Sequence, residues 1–102
     1  MEKLRLWDLL AQNDMLYQRE NDFLSETQLN FLKTVASGTS DGYSNKEVLQ
    51  KFRLGSSANV SKLKKALVEK EFIEFRGKTA EFLDPAYELW FVREILKIPG
   101  TY

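Results

Sequence analysis

The sequence contains no cysteine and no histidine. This excludes disulfides, thiolate nucleophiles, Ser-His and Cys-His catalytic pairs, and the usual ligands of structural zinc. Aspartate and glutamate are present, but nowhere with the spacing of a calcium-binding loop. We therefore expect no catalytic residue, no metal and no cofactor, and we predict that the chain is not an enzyme.

Long apolar runs are also absent. No stretch approaches the roughly 20 residues that cross a bilayer, and charged residues interrupt the N-terminus too early for a signal peptide. We expect a cytoplasmic protein without membrane contact. The 102 residues, of which 43% are hydrophobic and 29% charged, fit one globular domain with a single core.

The net charge is zero, but the charges are distributed unevenly along the chain. Residues 1–42 contain four basic and seven acidic side chains, residues 43–80 contain nine and four, and residues 81–102 contain two and four. The middle segment is therefore the one that an anionic partner would meet. The alternative is an ordinary lysine-rich surface exposed to water.

Apolar spacing predicts three helices in the first half of the chain. The first runs from residue 2 to about residue 19. Capping boxes over residues 25–28 and 44–47 mark the starts of the second and third, because each places a serine three residues before Gln or Glu. Gly38 and Gly55 supply the C-terminal stops.

A longer helix and a hairpin follow. Serines 56 and 57 can cap a helix that runs to about residue 70. The face predicted to be buried holds Val60, Leu63 and Leu67. Residues 72–75 and 79–83 then alternate as strands do, with residues 76–78 as the hairpin tip.

Asp84 and Pro85 restart a helix as its cap and its first residue, and residues 99–100 end it. This order predicts a mostly α fold with a β-hairpin: a winged helix-turn-helix with extra N- and C-terminal helices. We assign residues 1–23 to an N-terminal helix that packs on or extends the domain, 24–83 to the winged-helix core, and 84–102 to a C-terminal helix and tail.

Five segments resemble a known family when taken in order. They are the Leu-Ser-x-x-Gln opening at residues 24–28, residues 44–49, 54–61 and 64–70, and the closing Asp-Pro-x-Tyr-x-x-Trp-Phe at residues 84–91. Together they resemble the C-terminal winged-helix domain of bacterial and archaeal P-loop ATPases of the AAA+/STAND type. The resemblance implies an accessory domain cut from a longer prokaryotic ATPase.

In that family the nucleotide binds an N-terminal domain that carries Gly-x-x-x-x-Gly-Lys-Ser/Thr. Here Gly38 and Gly42 are separated by only three residues, and Tyr43 follows the second glycine. The phosphate-binding loop is therefore missing, and no nucleotide-binding residue can be carried over to this chain.

The longest helix occupies the position of the helix that enters the major groove in helix-turn-helix proteins, and hairpin tips of this kind contact the DNA backbone. Serine and lysine bind phosphates, and asparagine can read adenine. The candidate residues for duplex DNA are Ser57, Asn59, Ser61, Lys62, Lys65, Arg76 and Lys78. Two features argue against DNA binding: the helix face lacks arginine, and it carries Glu69. Both are also expected of a face that is simply exposed to water.

Aromatic residues in the terminal helices form a second candidate surface, because aromatics are enriched at protein interfaces. These residues are Trp7, Tyr17, Tyr87, Trp90 and Phe91. The partner would be the parent ATPase domain or a second copy of the chain. The alternative is that the terminal helices pack on each other and complete the core.

Three functions are compatible with these observations. The first is a non-catalytic accessory domain of a prokaryotic ATPase that binds DNA weakly. The second is an interaction or dimerisation module of that ATPase without DNA binding. The third is a stand-alone transcriptional regulator, which the zero net charge and the lack of an effector site disfavour.

Overall fold

Five α-helices and one β-hairpin make up residues 14–39 and 42–97, the parts of the chain that the computed structural model describes. Their order is α1 (Asp14–Asp22), α2 (Glu26–Ala36), α3 (Lys46–Phe52), α4 (Ser57–Glu69), β1 (Ile73–Arg76), β2 (Thr79–Phe82) and α5 (Pro85–Phe91), followed by a π-helical turn over Val92–Leu96. This confirms the predicted mostly α fold with a hairpin. The predicted start of the first helix lies outside the described residues. The last helical turn ends at Leu96, where Lys97 adopts the left-handed conformation with φ of 54°, before the predicted stop at residues 99–100.

The first predicted capping box is confirmed. The Ser25 hydroxyl accepts a hydrogen bond from the Gln28 backbone N–H at 3.2 Å, and the Gln28 side-chain oxygen accepts one from the Ser25 N–H at 3.0 Å. These two bonds satisfy donors that have no partner within the helix, so the start of α2 is encoded locally.

The second predicted capping box is wrong. The N-cap of α3 is Asn45 rather than Ser44, and its side chain makes no capping hydrogen bond. The backbone causes this shift, because the Asn45 N–H donates to the Gly42 carbonyl at 2.9 Å and closes a turn that ends one residue later than predicted.

The predicted stop of α3 at Gly55 is also wrong. The helix ends at Phe52, and Arg53 adopts the left-handed conformation with φ of 55° that usually favours glycine. Gly55, at φ of 89°, lies further along the turn between α3 and α4. This turn and the two helices beside it form the helix-turn-helix.

The buried face of α4 is confirmed. Val60 and Leu67 are fully buried and Leu63 is 5% exposed. They belong to a core that α2, α4 and the hairpin share, and α2 contributes Phe31, Leu32 and Val35 to it. This packing fixes which side of α4 is left for a partner.

The hairpin is antiparallel, with Ile73 opposite Phe82 and Arg76 opposite Thr79. Only Gly77 and Lys78 lie between the strands, so the tip is one residue shorter than predicted. Gly77 has φ of 63°, a value that tight two-residue turns require. The hairpin is the wing of the predicted winged helix, and it ends in a tight two-residue turn.

The aromatic residues of α1 and α5 lie in the core. Tyr17, Tyr87, Trp90 and Phe91 are all buried. The Tyr87 hydroxyl donates to the Asn21 side chain at 2.8 Å, and the Trp90 indole N–H donates to Asp14 at 2.7 Å. Burial raises the pKa of the Tyr87 phenol. The prediction of an exposed partner surface is thus wrong for these four residues. Their rings pack together because α1 and α5 place them on facing sides. The fifth residue, Trp7, lies outside the described residues.

None of the helices in the described part of the chain is long and apolar enough to span a bilayer.

Candidate nucleic-acid interface

The face of α4 opposite the core is exposed, as predicted. It presents Ser57, Ala58, Ser61, Lys62, Lys65 and Glu69. Neither Lys62 nor Lys65 makes an ion pair with any residue that the structure describes. Both ammonium groups are therefore available to an external anion.

A groove of about 820 Å³ separates α4 from the wing. Its walls come from three parts of the chain: residues 42–44, the exposed edge of α4, and the wing. The lining residues are Gly42, Tyr43, Ser44, Ser61, Lys64, Lys65, Val68, Glu69, Phe75, Gly77 and Lys78. Among residues 14–39 and 42–97, the groove brings three lysines together with one carboxylate.

Three of the seven predicted DNA-contacting residues line this groove: Ser61, Lys65 and Lys78. Ser57 and Lys62 are exposed on α4 but are not among the lining residues. The fold thus divides the candidates between the groove and the helix surface beside it. The other two, Asn59 and Arg76, already have partners.

Asn59 has a structural role in the helix-turn-helix. Its side-chain N–H donates to the Leu54 carbonyl at 2.7 Å, across the turn. A side chain at Gly55 would bring its Cβ to 3.2 Å from the same amide nitrogen. One amide N–H of Asn59 therefore holds the turn, and base reading by the rest of this side chain stays a prediction.

This role gives a testable prediction. We expect Asn59→Ala to lower the free energy of unfolding by about 1–3 kcal/mol, because the Leu54 carbonyl would lose its partner. Urea denaturation followed by circular dichroism measures the change. Ser61→Ala, on the exposed side of the same helix, is the control and should change stability by less than about 0.5 kcal/mol. Equal effects of the two variants would contradict the assignment.

Arg76 at the wing pairs with Glu81 on the neighbouring strand, with 3.0 Å between Nε and Oε2. Both side chains are well exposed, at 75% and 45%. An exposed pair of this kind contributes at most about 1 kcal/mol. A phosphate can therefore compete with the Glu81 carboxylate for Arg76.

Lys64 is a groove residue that sequence reasoning missed. It is half-buried at the edge of the core-facing side of α4, so a helical wheel does not place it on the exposed face. Its ammonium lies 5.6 Å from the ring centroid of Tyr43 and 5.6 Å from that of Phe75. Only the tertiary fold brings these two rings to the same lysine.

A second hollow, of about 300 Å³, lies on α2 and the end of α3. It is lined by Glu26, Asn30, Lys33, Lys51, Phe52 and Arg53. The Asn30 amide donates to the Arg53 carbonyl at 3.4 Å. Cations outnumber carboxylates here too, so the positive character extends beyond the groove.

Acidic residues gather elsewhere on the surface. A hollow of about 500 Å³ contains Glu20, Glu71 and Asp84, with Lys70 as its single basic lining residue. Phe23, 81% exposed, stands at the same hollow. The charge asymmetry along the sequence thus becomes a separation of charge on the folded surface.

A helix-turn-helix followed by a two-stranded wing, with one helix exposed beside that wing, defines a winged-helix domain. Comparison with protein families agrees, since a family model described as "Probable winged helix domain" matches residues 15–93. The chain belongs to this family. No curated protein and no solved structure matches it.

Proposed function

We propose that this winged-helix domain is a non-catalytic module that binds duplex DNA through α4 and the wing. The observation that carries the proposal is the groove in which Lys64, Lys65 and Lys78 converge, with Glu69 as the one carboxylate among the described residues that line it. A concentration of unpaired cations beside an exposed helix is the footprint of a protein that contacts phosphates.

The proposed binding is weak and tolerant of sequence. Lys62, Lys65, Arg76 and Lys78 would supply on the order of four phosphate contacts, and such contacts carry no sequence information. One amide N–H of the predicted base reader, Asn59, holds the turn. Little therefore remains on α4 to distinguish one base pair from another.

A fluorescence-anisotropy titration with mixed-sequence duplexes tests the proposal. Between about 50 and about 200 mM salt, four contacts imply a log–log slope of the association constant of roughly −3.6. Two unrelated duplexes should differ by less than about tenfold in affinity, far below the ratios of specific binders. No binding at the lower salt concentration, or a slope near zero, would contradict DNA binding.

The resemblance of residues 24–91 to ATPase C-terminal domains supports a finer proposal, in which this module acts beside a P-loop ATPase domain. The second candidate function beside such an ATPase domain is protein binding without nucleic-acid binding. The exposed apolar side chains Met15, Leu16 and Phe23 favour this second candidate, because such residues mark partner surfaces when they gather.

Light scattering at increasing protein concentration separates the two candidates. Association of copies without any DNA binding would favour the interaction module. A monomer that binds duplex DNA with the expected salt slope would favour the first proposal.

A further inference from the structure

The groove contains two aromatic rings that phosphate binding by lysines alone does not need. The Lys64 ammonium lies within 5.6 Å of both the Tyr43 and the Phe75 centroid. A lysine within about 6 Å of a ring centroid is attracted by the electrons of the ring face. Lys64 makes no ion pair with any residue of the described ranges.

Both rings are themselves fixed in place. Tyr43 is buried against Phe31, with 5.1 Å between their centroids. Its hydroxyl donates to the Thr39 carbonyl at 3.0 Å and accepts from the Ala80 N–H, on β2, at 3.1 Å. Phe75 lies opposite Ala80 in the hairpin. These contacts therefore connect the segment before α3, which carries Tyr43, to the wing, which carries Phe75.

Most surface lysines lose conformational freedom when they bind a phosphate, and this loss opposes binding. A lysine already held in the binding geometry loses less. Lys64 is such a lysine, because aromatic side chains from two elements hold its ammonium in the groove that Lys65 and Lys78 also line.

We propose that Lys64 binds the phosphodiester backbone of nucleic acid in this groove, and that Tyr43 and Phe75 are positioning residues that hold its ammonium there. The inference rests on the proposed function and adds one phosphate contact to those of the exposed lysines and Arg76, so the expected wild-type salt slope becomes about −4.5 instead of about −3.6. A purely structural role, in which Lys64 only joins α4 to the wing, is the competing explanation.

The first test compares Lys64→Met with Lys62→Met. Methionine keeps the aliphatic part of the side chain and removes the charge, and Lys62 is an exposed lysine of the same helix outside the groove. We expect Lys64→Met to weaken duplex binding roughly tenfold, as loss of a hydrogen bond to a charged group does, and to reduce the salt slope by about 0.9. Lys62→Met should weaken binding by only about two- to threefold, because its flexible ammonium is not preorganised.

The second test is Phe75→Leu, which keeps every charge and an apolar side chain but removes the ring. We expect a loss of binding of several-fold, roughly fivefold, with an unchanged salt slope, because the number of phosphate contacts stays the same. When Phe75→Leu is combined with Lys64→Met, it should cause almost no additional loss of affinity, because both substitutions remove the same interaction. Phe72→Leu is the matched control, because Phe72 is equally half-buried but lines the acidic hollow.

Thermal melting of each variant confirms that it is folded at the titration temperature. If the wild type binds duplex DNA and Lys64→Met binds it with the same affinity, the role of Lys64 is overturned and the proposed function stays intact. Fully additive losses in the double variant would overturn the positioning role of Phe75. Absence of wild-type binding would overturn the proposed function and this inference with it.

Discussion

Leu67→Ala is expected to lower the free energy of unfolding by about 2–5 kcal/mol. Leu67 is fully buried on the core face of α4 and belongs to the hydrophobic core. Alanine is the better helix former, so the loss would report packing rather than helix propensity. Small domains are typically stable by only about 5–15 kcal/mol, and this single change would therefore leave a substantial unfolded population.

Urea denaturation followed by circular dichroism measures this loss. Lys65→Ala is the matched control, two residues earlier on the same helix with an exposed side chain. It should change stability by less than about 0.5 kcal/mol. Comparable losses for both variants would mean that α4 is rotated relative to the core, and the groove would then have a different lining.

The elements that the sequence predicted well are those whose determinants are local. Ser25 and Gln28 specify the start of α2 within four residues, and their two reciprocal hydrogen bonds are present. The burial of Val60, Leu63 and Leu67 follows from helical periodicity alone. Local signals were sufficient for the order of elements, and that order defines the winged helix.

Other features depend on partners that lie outside the helix concerned, whereas the second capping box failed because of a local turn between Gly42 and Asn45. Gly55 is the expected stop of α3, yet Arg53 takes the left-handed conformation. The Arg53 carbonyl accepts a hydrogen bond from Asn30, which lies on α2 and 23 residues earlier. Asn59 is a candidate base reader, and the Leu54 carbonyl across the turn accepts one of its amide N–H groups. Spacing within one helix cannot reveal such partners.

The candidate site shows the same limit. Lys65 and Lys78 were identified because charge on an exposed helix face or a hairpin tip is visible in the sequence. Lys64 was not, because its significance depends on rings that lie 21 and 11 residues away along the chain, at Tyr43 and Phe75. For the aromatic residues of α1 and α5, the sequence suggested an interface where the fold forms part of the core. Aromatic content alone does not distinguish the two.

The arrangement of the lysines also changes which substitutions test DNA binding most directly. Two of the lysines among the candidates, Lys62 and Lys65, share the exposed face of α4. The structure places Lys65 and Lys78 in one groove, on opposite sides, and leaves Lys62 outside its lining. Reversing the charge on both walls of the groove is therefore the stronger perturbation.

The double substitution Lys65→Glu with Lys78→Glu is expected to weaken duplex binding at low salt by at least about 100-fold. It removes two phosphate contacts and places two carboxylates where phosphates would lie. Like charges brought together at an interface cost several kcal/mol. A cost of about 2.8 kcal/mol already corresponds to a 100-fold loss of affinity. Both side chains are exposed, so the thermal midpoint should stay nearly unchanged. Anisotropy titrations and thermal melting measure the two effects separately.

The control is the double substitution Arg19→Glu with Arg93→Glu, which changes the net charge by the same amount. Arg19 lies on α1 and Arg93 lies in the π-helical turn after α5, and both are exposed. Neither lines the groove between α4 and the wing. If net charge alone attracted the DNA, both double variants would lose affinity equally. That result would contradict a localised site. Binding that survives in the Arg19 and Arg93 variant but is lost in the Lys65 and Lys78 variant would assign the nucleic-acid contact to the groove, because the two proteins differ in where the charge was reversed and not in how much.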